Sequence, residues 1–316
     1  MTRPTTPTLG LVVPVHNEEG VLPQLLDTLG SLEVGVSLTV LFVDDGSTDR
    51  TLAILEEACR QDTRMACLSL SRNFGQETAV AAGLQHARGD VIAVLDADLQ
   101  DPPALLGTFI EKWREGYDVV YGIRTNRKES WGLRTAFKSF YWLLSKVTRT
   151  SIPRDTGNFG VIDRRLVDLI NAMPEHNRFF RGLRGWVGFK QLGIRYERPA
   201  RQAGKPSYNL SRYSRLAADA ILSFSSAPLR IASWTGALAA LVGFGYLVYI
   251  LSLYLSGETL PPGWASLIVL VLFLGGIQLI VLGIIGEYIS RIFDEVKHRP
   301  LFVTRTAVGW LADTDS

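Results

Sequence analysis

Two aspartates separated by one residue, Asp96 and Asp98, have the types and spacing of a metal-binding pair. They follow residues 91–95, a continuous apolar run typical of a strand buried on both faces. Side chains two positions apart on an extended chain point the same way, so both carboxylates can face one point beyond the strand. Gln100 offers a further neutral oxygen. These hard ligands predict a Mg²⁺ or Mn²⁺ site completed by phosphate oxygens; a solvated acidic turn is the alternative.

Two other apolar runs, residues 9–15 and 38–43, also end in polar clusters. Apolar runs alternate with helical stretches, which predicts an α/β fold with a mostly parallel, Rossmann-like sheet covered by helices on both faces. Ligands of such sheets bind beyond the carboxyl ends of the strands. We therefore expect a nucleotide-like ligand at this edge, bound by the residues that follow the three strands: His16, Asn17 and Glu18; Asp44 and Asp45; Asp96 and Asp98.

The apolar pattern also predicts individual elements. Buried strands are expected at residues 9–15, 38–43, 65–70, 91–95, 118–123 and 189–196. A turn-rich break is expected at residues 155–159, followed by a helix over residues 161–173.

Composition and missing motifs exclude several classes of function. The net charge of +2 is too small to indicate nucleic acid as a partner. The four histidines are scattered, which disfavours a histidine-based metal centre. No G-x-G-x-x-G follows the first strand and no G-x-x-x-x-G-K-[ST] occurs, which disfavours a dinucleotide dehydrogenase and a P-loop nucleotidase.

The C-terminal third contains two uncharged runs, residues 231–255 and 264–285, each long enough to cross a membrane as a helix. Basic residues flank the pair on both outer sides and are missing from the short loop between the runs. The positive-inside rule therefore places both long flanks in the cytoplasm, at the cytoplasmic (inner) membrane of a multi-pass protein. A buried helical hairpin in a soluble protein is the alternative.

These observations divide the chain into four parts: an α/β domain over residues 1–206, an amphipathic interfacial helix region over 207–230, a two-helix hairpin over 231–285, and a cytoplasmic tail over 286–316. A core-facing amphipathic helix is the alternative for the second part. Between the predicted strands, a basic stretch interleaved with aromatics predicts an anion site beside the membrane, or else a solvated helix; it contains Arg124, Arg127, Lys128 and Arg134.

Several motifs resemble those of family-2 glycosyltransferases with the GT-A fold, and within them the polyprenyl-phosphate glycosyltransferases. That group includes dolichol-phosphate-mannose synthases and bactoprenol glucosyltransferases. The matching stretches are V-V-P-V-H-N-E-E at 12–19, F-V-D-D-G-S-T-D at 42–49, S-R-N-F-G-Q-E at 71–77, D-A-D-L-Q-D-P-P at 96–103, R-G-L-R-G-W-V-G at 181–188 and G-E-Y-I-S-R-I-F-D-E-V-K-H-R-P at 286–300.

The resemblance implies roles for individual residues. The residues implied to bind the donor nucleotide sugar are Pro14, His16, Glu18, Asp44, Asp45, Asp96, Ala97 and Arg201. His16 stands where relatives commonly have Tyr. Either Asp44 or Asp45 could bind the base and ribose, and the choice between them stays open. The implied metal ligands are Asp98 with Asp96 and Gln100, and the implied catalytic residues are Asp98, Asp96 and Arg124. The implied acceptor-phosphate residues are Arg124, Arg127, Arg134 and Lys205; Lys205 lies two positions before the slot of the family's lysine.

The implied reaction is inverting transfer of a hexose from a nucleotide-diphosphate sugar, with UDP-glucose preferred, to undecaprenyl or another polyprenyl phosphate. The acceptor phosphate has a second pKa of about 6, so it is largely ionised and needs no strong base. Asp155 is the nearby carboxylate that could act as one or be structural.

Other readings stay open beside this one. UDP-GlcNAc and GDP-mannose are alternative donors, and a processive polysaccharide synthase or a non-enzymatic membrane scaffold are alternative classes. Small residues along the two apolar runs permit close helix packing and predict a homo-oligomer. A flippase for the lipid-linked sugar is a further expected partner.

Overall fold

A computed structural model describes residues 3–125, 156–176, 178–197, 227–256 and 263–312. Several predicted features lie outside these residues: Arg127, Lys128, Arg134, Asp155, Arg201, Lys205 and nearly all of the predicted interfacial helix at 207–230.

The described part of the α/β unit contains one eight-stranded sheet with helices on both faces, as predicted. Its strands are β1 (Thr8–Val15), β2 (Ser37–Asp44), β3 (Met65–Leu70), β4 (Val91–Val94), β5 (Val119–Arg124), β6 (Thr156–Asp163), β7 (Gln191–Tyr196) and β8 (Thr304–Gly309). Its helices are α1 (Leu22–Gly30), α2 (Thr51–Gln61), α3 (Gln76–His86), α4 (Leu105–Arg114), α5 (Arg164–Asn171) and α6 (Phe180–Trp186).

The strand order is β7-β5-β6-β4-β1-β2-β3-β8. Strands β1 to β4 pair in parallel, so the loops after β1, β2 and β4 meet at one edge. β6 pairs antiparallel with both β4 and β5, and β7 is parallel to β5. The sheet is therefore mixed but mostly parallel around its centre, where the predicted polar clusters lie.

Two apolar cores cover the two faces of the sheet. Leu11 and Val13 of β1 belong to one core, and Val12 between them belongs to the other, because successive side chains of a strand point to opposite faces. Helices α1, α2 and α4 contribute to the first core, and α3, α5 and α6 to the second.

Helix α3 approaches β1 closely through Gly83. A Cβ atom at this position would lie 2.2 Å from Cγ1 of Val12, so a larger residue requires the Val12 side chain, the strand or the helix to shift. This close packing fixes α3 against the strand, and with it the N-terminal end of the helix near the strand ends that form the polar edge.

The prediction for residues 155–173 was wrong in part. Residues 156–163 form strand β6 rather than a turn followed by helix, and helix α5 begins only at Arg164. The Asp163 carboxylate caps α5 by accepting the Arg165 N–H at 3.1 Å. A short apolar run is ambiguous between strand and helix, and pairing with β4 and β5 decides it here.

The end of the chain also departs from the predicted separate tail. Strand β8 pairs antiparallel with β3 and covers that edge of the sheet. The following Trp310 donates its indole N–H to the Arg64 carbonyl at 3.2 Å, and Leu311 is buried. Residues 304–311 are thus part of the α/β unit.

The second unit contains two long apolar helices, α7 (Ala227–Leu255) and α8 (Trp264–Val296). Segments Pro228–Ile250 and Phe273–Val296 have the length and composition to cross a membrane. Their apolar side chains are largely exposed; Leu241 is 69% exposed and Phe244 65%. Exposed apolar surface of this kind is typical of membrane-embedded helices that face lipid. Both helices extend beyond the predicted runs, α8 as far as Val296.

Candidate active site at the carboxyl edge of the sheet

A cleft of about 330 Å³ lies at the carboxyl ends of β1, β2 and β4. Its lining includes seven residues that were predicted to bind the donor or the metal: Pro14, His16, Glu18, Asp45, Asp96, Ala97 and Asp98. The lining is completed by Val15 and by residues just before α3 or in its first turn: Asn73, Gly75, Gln76 and Ala79. Parallel pairing of the strands thus brings together clusters that are far apart in sequence.

His16 is fixed at the rim of the cleft by two hydrogen bonds. Its Nδ1 lies 2.9 Å from the Asp45 carbonyl oxygen and its Nε2 lies 3.2 Å from Nδ2 of Asn17. A carbonyl only accepts, so Nδ1 carries the hydrogen and Nε2 accepts from the amide. These two contacts orient the imidazole ring beside the cleft.

Asp44 and Asp45, which the sequence did not separate, have different positions. Asp44 is buried below the cleft, where its carboxylate accepts the Ser47 N–H at 3.0 Å and the Ser69 hydroxyl at 2.8 Å. Asp45 lines the cleft and accepts the N–H groups of Phe74 at 2.7 Å and Gly75 at 2.9 Å. Asp44 therefore shapes the β2 turn, and Asp45 holds the loop before α3.

Asp96 and Asp98 both line the cleft and are only partly buried. The Asp96 carboxylate accepts from Nε2 of Gln76 at 2.9 Å on Oδ1, and its Oδ2 lies 3.6 Å from a guanidinium nitrogen of Arg124. The Asp98 carboxylate accepts the backbone N–H of Gln100 at 3.1 Å. The two acids are therefore oriented by different donors, one by side chains and the other by the local turn.

Leu99, between Asp98 and Gln100, has a positive φ of 56°. This left-handed conformation is uncommon for a residue with a branched side chain, and it tightens the turn that follows β4. Gln100 is buried and is not among the residues that line the cleft. Its visible contribution is the backbone N–H given to Asp98, and a role for its side chain as a metal ligand stays a prediction.

Arg124 lies in an internal network at the end of β5. Its guanidinium contacts Asp101 at 3.0 Å and the Tyr196 hydroxyl at 3.2 Å, and Tyr196 also donates to Asp101. Burial alone would lower the pKa of Arg124, but the Asp101 carboxylate and the Tyr196 hydroxyl raise it, so the side chain is charged. Arg124 is not among the residues that line the cleft, and its predicted contact with a phosphate stays a prediction.

Sequence reasoning assigned no role to Gln76, Glu77, Asp101 or Tyr196. Glu77 is partly buried and accepts the N–H of Phe180, which starts α6, at 2.9 Å; burial raises the pKa of Glu77. Gln76 and Glu77 lie in the quoted S-R-N-F-G-Q-E motif, and Asp101 in D-A-D-L-Q-D-P-P. The motifs contain Gln76, Glu77 and Asp101, but the residues that these side chains contact are seen only in the folded structure.

Two family descriptions match the chain. "Glycosyl transferase family 2" matches residues 11–170, which contain every residue that lines the cleft. "GtrB C-terminal hairpin" matches residues 227–292, which cover α7 and most of α8. This match and the two long apolar helices indicate that the protein associates with a membrane.

Relatives match the chain over nearly its whole length. An uncharacterized glycosyltransferase, YkcC, of Bacillus subtilis (strain 168) is 45% identical over 302 residues, 95% of this chain and 94% of the relative. A prophage bactoprenol glucosyl transferase homolog of Escherichia coli (strain K12) is 39% identical, covering 94% of this chain and 98% of the relative. The bactoprenol glucosyl transferase of Shigella phage SfV is 37% identical, with the same coverage of both chains.

A solved structure shows the same fold. The mannosyltransferase PcManGT from Pyrobaculum calidifontis, in complex with GDP-Man and Mn²⁺, superposes with a TM-score of 0.50 at 18% identity. The match covers 68% of this chain and 63% of that one. The predicted GT-A fold is thereby confirmed. The matched domain and the near full-length relatives together show that this chain is a glycosyltransferase that belongs to glycosyl transferase family 2.

Proposed function

We propose that the protein transfers glucose from UDP-glucose to undecaprenyl or another polyprenyl phosphate, with inversion at the anomeric carbon. The observation that carries this proposal is the combination, in one chain, of a carboxylate-lined cleft at the sheet edge and a hairpin of two membrane-length helices. Relatives named bactoprenol glucosyl transferase cover the same two parts at 37–39% identity. Neither part alone would point to a lipid phosphate as the acceptor.

The cleft fits a divalent cation that is shared with the donor. Its wall offers hard carboxylate oxygens, the ligand type that Mg²⁺ and Mn²⁺ prefer. Among the described residues, no group of three or more His, Cys, Asp or Glu could hold an ion by itself, so diphosphate oxygens would complete the coordination. When bound, such a cation would act as a Lewis acid on the leaving nucleoside diphosphate.

Asp98 is the residue we assign to hold the cation. Its carboxylate accepts the Gln100 N–H in the turn that follows β4, and this hydrogen bond orients it. Asp96 is the weaker choice for a ligand, because N–H donors of Gln76 and Arg124 already face its two oxygens. Asp96 is suited instead to accept hydrogen bonds from sugar hydroxyls of the donor.

The acceptor would supply its own nucleophile. A phosphate monoester with a second pKa of about 6 is mostly a dianion at neutral pH, so attack on the anomeric carbon needs no general base. The residues proposed to attract this phosphate, Arg127, Arg134 and Lys205, lie outside the described residues, and Arg124 is the one acceptor-phosphate candidate that the structure describes. Guanidinium groups match the geometry of phosphate oxygens, which supports the assignment.

We further propose that α7 and α8 both cross the cytoplasmic membrane, with the α/β unit and the chain end on the cytoplasmic side. The charge distribution supports this orientation, because basic residues flank the hairpin and are missing from the loop at 257–262. Single cysteines introduced into that loop should react with a membrane-impermeant maleimide in intact cells. Reaction only after lysis would contradict the orientation. A homo-oligomer and a flippase partner stay sequence-based expectations.

The central experiment is a donor screen with the purified full chain in detergent, undecaprenyl phosphate and Mn²⁺ or Mg²⁺. UDP-glucose should yield a chloroform-soluble, mild-acid-labile product, and addition of EDTA should abolish it. UDP-GlcNAc and GDP-mannose should yield much less. Preferential use of GDP-mannose would overturn the sugar assignment, and no lipid product with any donor would overturn the acceptor assignment.

A further inference from the structure

The side chain of Gln76, the first residue of α3, lies in the cleft against Asp96, one of the three aspartates that line it. Its Nε2 donates to Oδ1 of Asp96 at 2.9 Å, while Oδ2 of Asp96 faces Arg124 at 3.6 Å. We propose that Gln76 is a positioning residue for the donor sugar. It holds the Asp96 carboxylate toward Arg124, so that Asp96 meets the sugar and Asp98 is left to the cation. This inference rests on the proposed function.

The backbone on both sides of Gln76 is anchored. Before it, the Asp45 carboxylate accepts the N–H groups of Phe74 and Gly75, and Gly75 has a positive φ of 98° that glycine adopts without strain. After it, Glu77 accepts the Phe180 N–H at 2.9 Å and so ties α3 to α6. Gln76 itself is exposed to the cleft between these two anchors. A side chain presented from a fixed backbone can orient its partner.

The far side of Asp96 is equally fixed. Arg124 is held by Asp101, which is fully buried, and by the Tyr196 hydroxyl. The Asp96 carboxylate therefore lies between a neutral amide donor and a charged guanidinium, and each donor faces a different oxygen. Loss of the amide would remove the donor that faces Oδ1 of Asp96, so the orientation of the carboxylate would be less well defined.

A neutral donor suits this position better than a charged one. Carboxylates of Glu18, Asp45, Asp96 and Asp98 all belong to residues that line the cleft. A second cation beside Asp96 would compete for it with Arg124, and a further carboxylate would repel it. An amide supplies one directed hydrogen bond and does not change the net negative charge of the cleft. That charge remains to attract the cation that binds the diphosphate.

The test compares binding of UDP with binding of UDP-glucose, because only the second ligand carries the sugar. Isothermal titration calorimetry with Mn²⁺ present would measure both dissociation constants for the full-length wild type, Gln76→Ala and Gln85→Ala. Gln85 is the matched control: it lies on the same helix, is exposed, and is not among the cleft residues. Gln76→Ala should weaken UDP-glucose about 5- to 30-fold, the effect of one lost hydrogen bond, and UDP less than about 2-fold. Gln85→Ala should change neither.

Steady-state kinetics separate a positioning role from a merely structural one, because the two substrates are affected differently. Gln76→Ala should raise the KM for UDP-glucose and lower kcat for transfer, while the KM for polyprenyl phosphate stays unchanged. Gln76→Glu keeps the size of the side chain and should be worse than Gln76→Ala, because it adds a carboxylate beside Asp96. This second variant also serves if Gln76→Ala folds poorly.

Equal weakening of UDP and UDP-glucose, or no change in either, would overturn the role of Gln76. Gln76→Glu acting better than Gln76→Ala would overturn it as well. A wild type that binds neither ligand would instead contradict the proposed function, so the two failures are distinguishable.

Discussion

The ends of β2 and β4 each carry a pair of aspartates, and the two pairs are used differently. At the end of β2, Asp44 and Asp45 accept backbone N–H groups of loops, namely those of Ser47, Phe74 and Gly75. At the end of β4, Asp96 accepts from side chains from elsewhere in the fold, and Asp98 accepts the Gln100 N–H within its own turn. The first pair is nearly fully buried and the second only partly.

The difference shows that an aspartate at a strand end is not by itself evidence of chemistry. A carboxylate that accepts two donors in a buried place organises the chain around it, and its loss costs stability. A partly buried carboxylate that lines a cleft can be shared with a cation. We therefore expect the β2 pair to shape the cleft and the β4 pair to contact the cation and the donor. Substitutions at the four positions can break or sharpen this distinction.

Asp98→Asn should have the largest effect on activity. The amide keeps an oxygen for the Gln100 N–H but loses the charge that holds a cation, so transfer should fall on the order of 10²- to 10³-fold. The thermal unfolding midpoint should stay near that of the wild type. Transfer of radiolabelled glucose to undecaprenyl phosphate measures the first quantity and differential scanning fluorimetry the second. Activity within about 10-fold of the wild type would remove Asp98 from the cation site.

Asp44→Ala should have the largest effect on stability. It leaves the Ser47 N–H and the Ser69 hydroxyl without their acceptor, at a cost of about 3 kcal/mol in the free energy of unfolding. Activity per folded molecule should be retained, because Asp44 does not line the cleft. Urea titration followed by tryptophan fluorescence measures the stability. A stable but inactive variant would show that Asp44 contributes to donor binding or catalysis rather than to stability.

Asp45→Asn should show an intermediate and mixed effect. One carboxylate oxygen is replaced by an NH₂ group, so either Phe74 or Gly75 loses its acceptor, at about 1–2 kcal/mol. Because this loop presents Gln76 to the cleft, the dissociation constant for UDP-glucose should also rise about 5-fold. Stability loss without any change in donor binding would indicate that the loop geometry does not depend on this carboxylate.

Ser69→Ala should have the smallest effect. It removes one donor to Asp44 from a buried place and should cost about 1 kcal/mol in unfolding free energy, with transfer unchanged. The same urea titration detects it. A loss of transfer without a loss of stability would mean that Asp44 is coupled to the chemistry after all.

Much of this could be predicted from the sequence. Apolar runs ending in polar residues predicted β1 to β4 and the meeting of His16, Asp45 and Asp96 at one edge, because parallel pairing requires it. The two uncharged runs predicted α7 and α8. These features depend on local composition and on rules of topology that hold for many chains.

Other features depend on contacts between distant residues and could not be predicted. Asp101 and Tyr196 are 95 positions apart, and nothing local indicates that both hold Arg124. The same applies to β8, which joins β3 although the two membrane-length helices separate them in the chain. The different roles of Asp44 and Asp45 likewise depend on the backbone N–H groups that reach each carboxylate: that of Ser47 for Asp44, and those of Phe74 and Gly75 for Asp45.

The most direct test of the account is binding of Mn²⁺ in the presence of UDP, measured by electron paramagnetic resonance for the wild type, Asp98→Asn and Asp44→Asn. We expect UDP-dependent Mn²⁺ binding to be lost in Asp98→Asn and kept in the folded fraction of Asp44→Asn. Wild-type binding by Asp98→Asn, or loss of binding in folded Asp44→Asn, would contradict it.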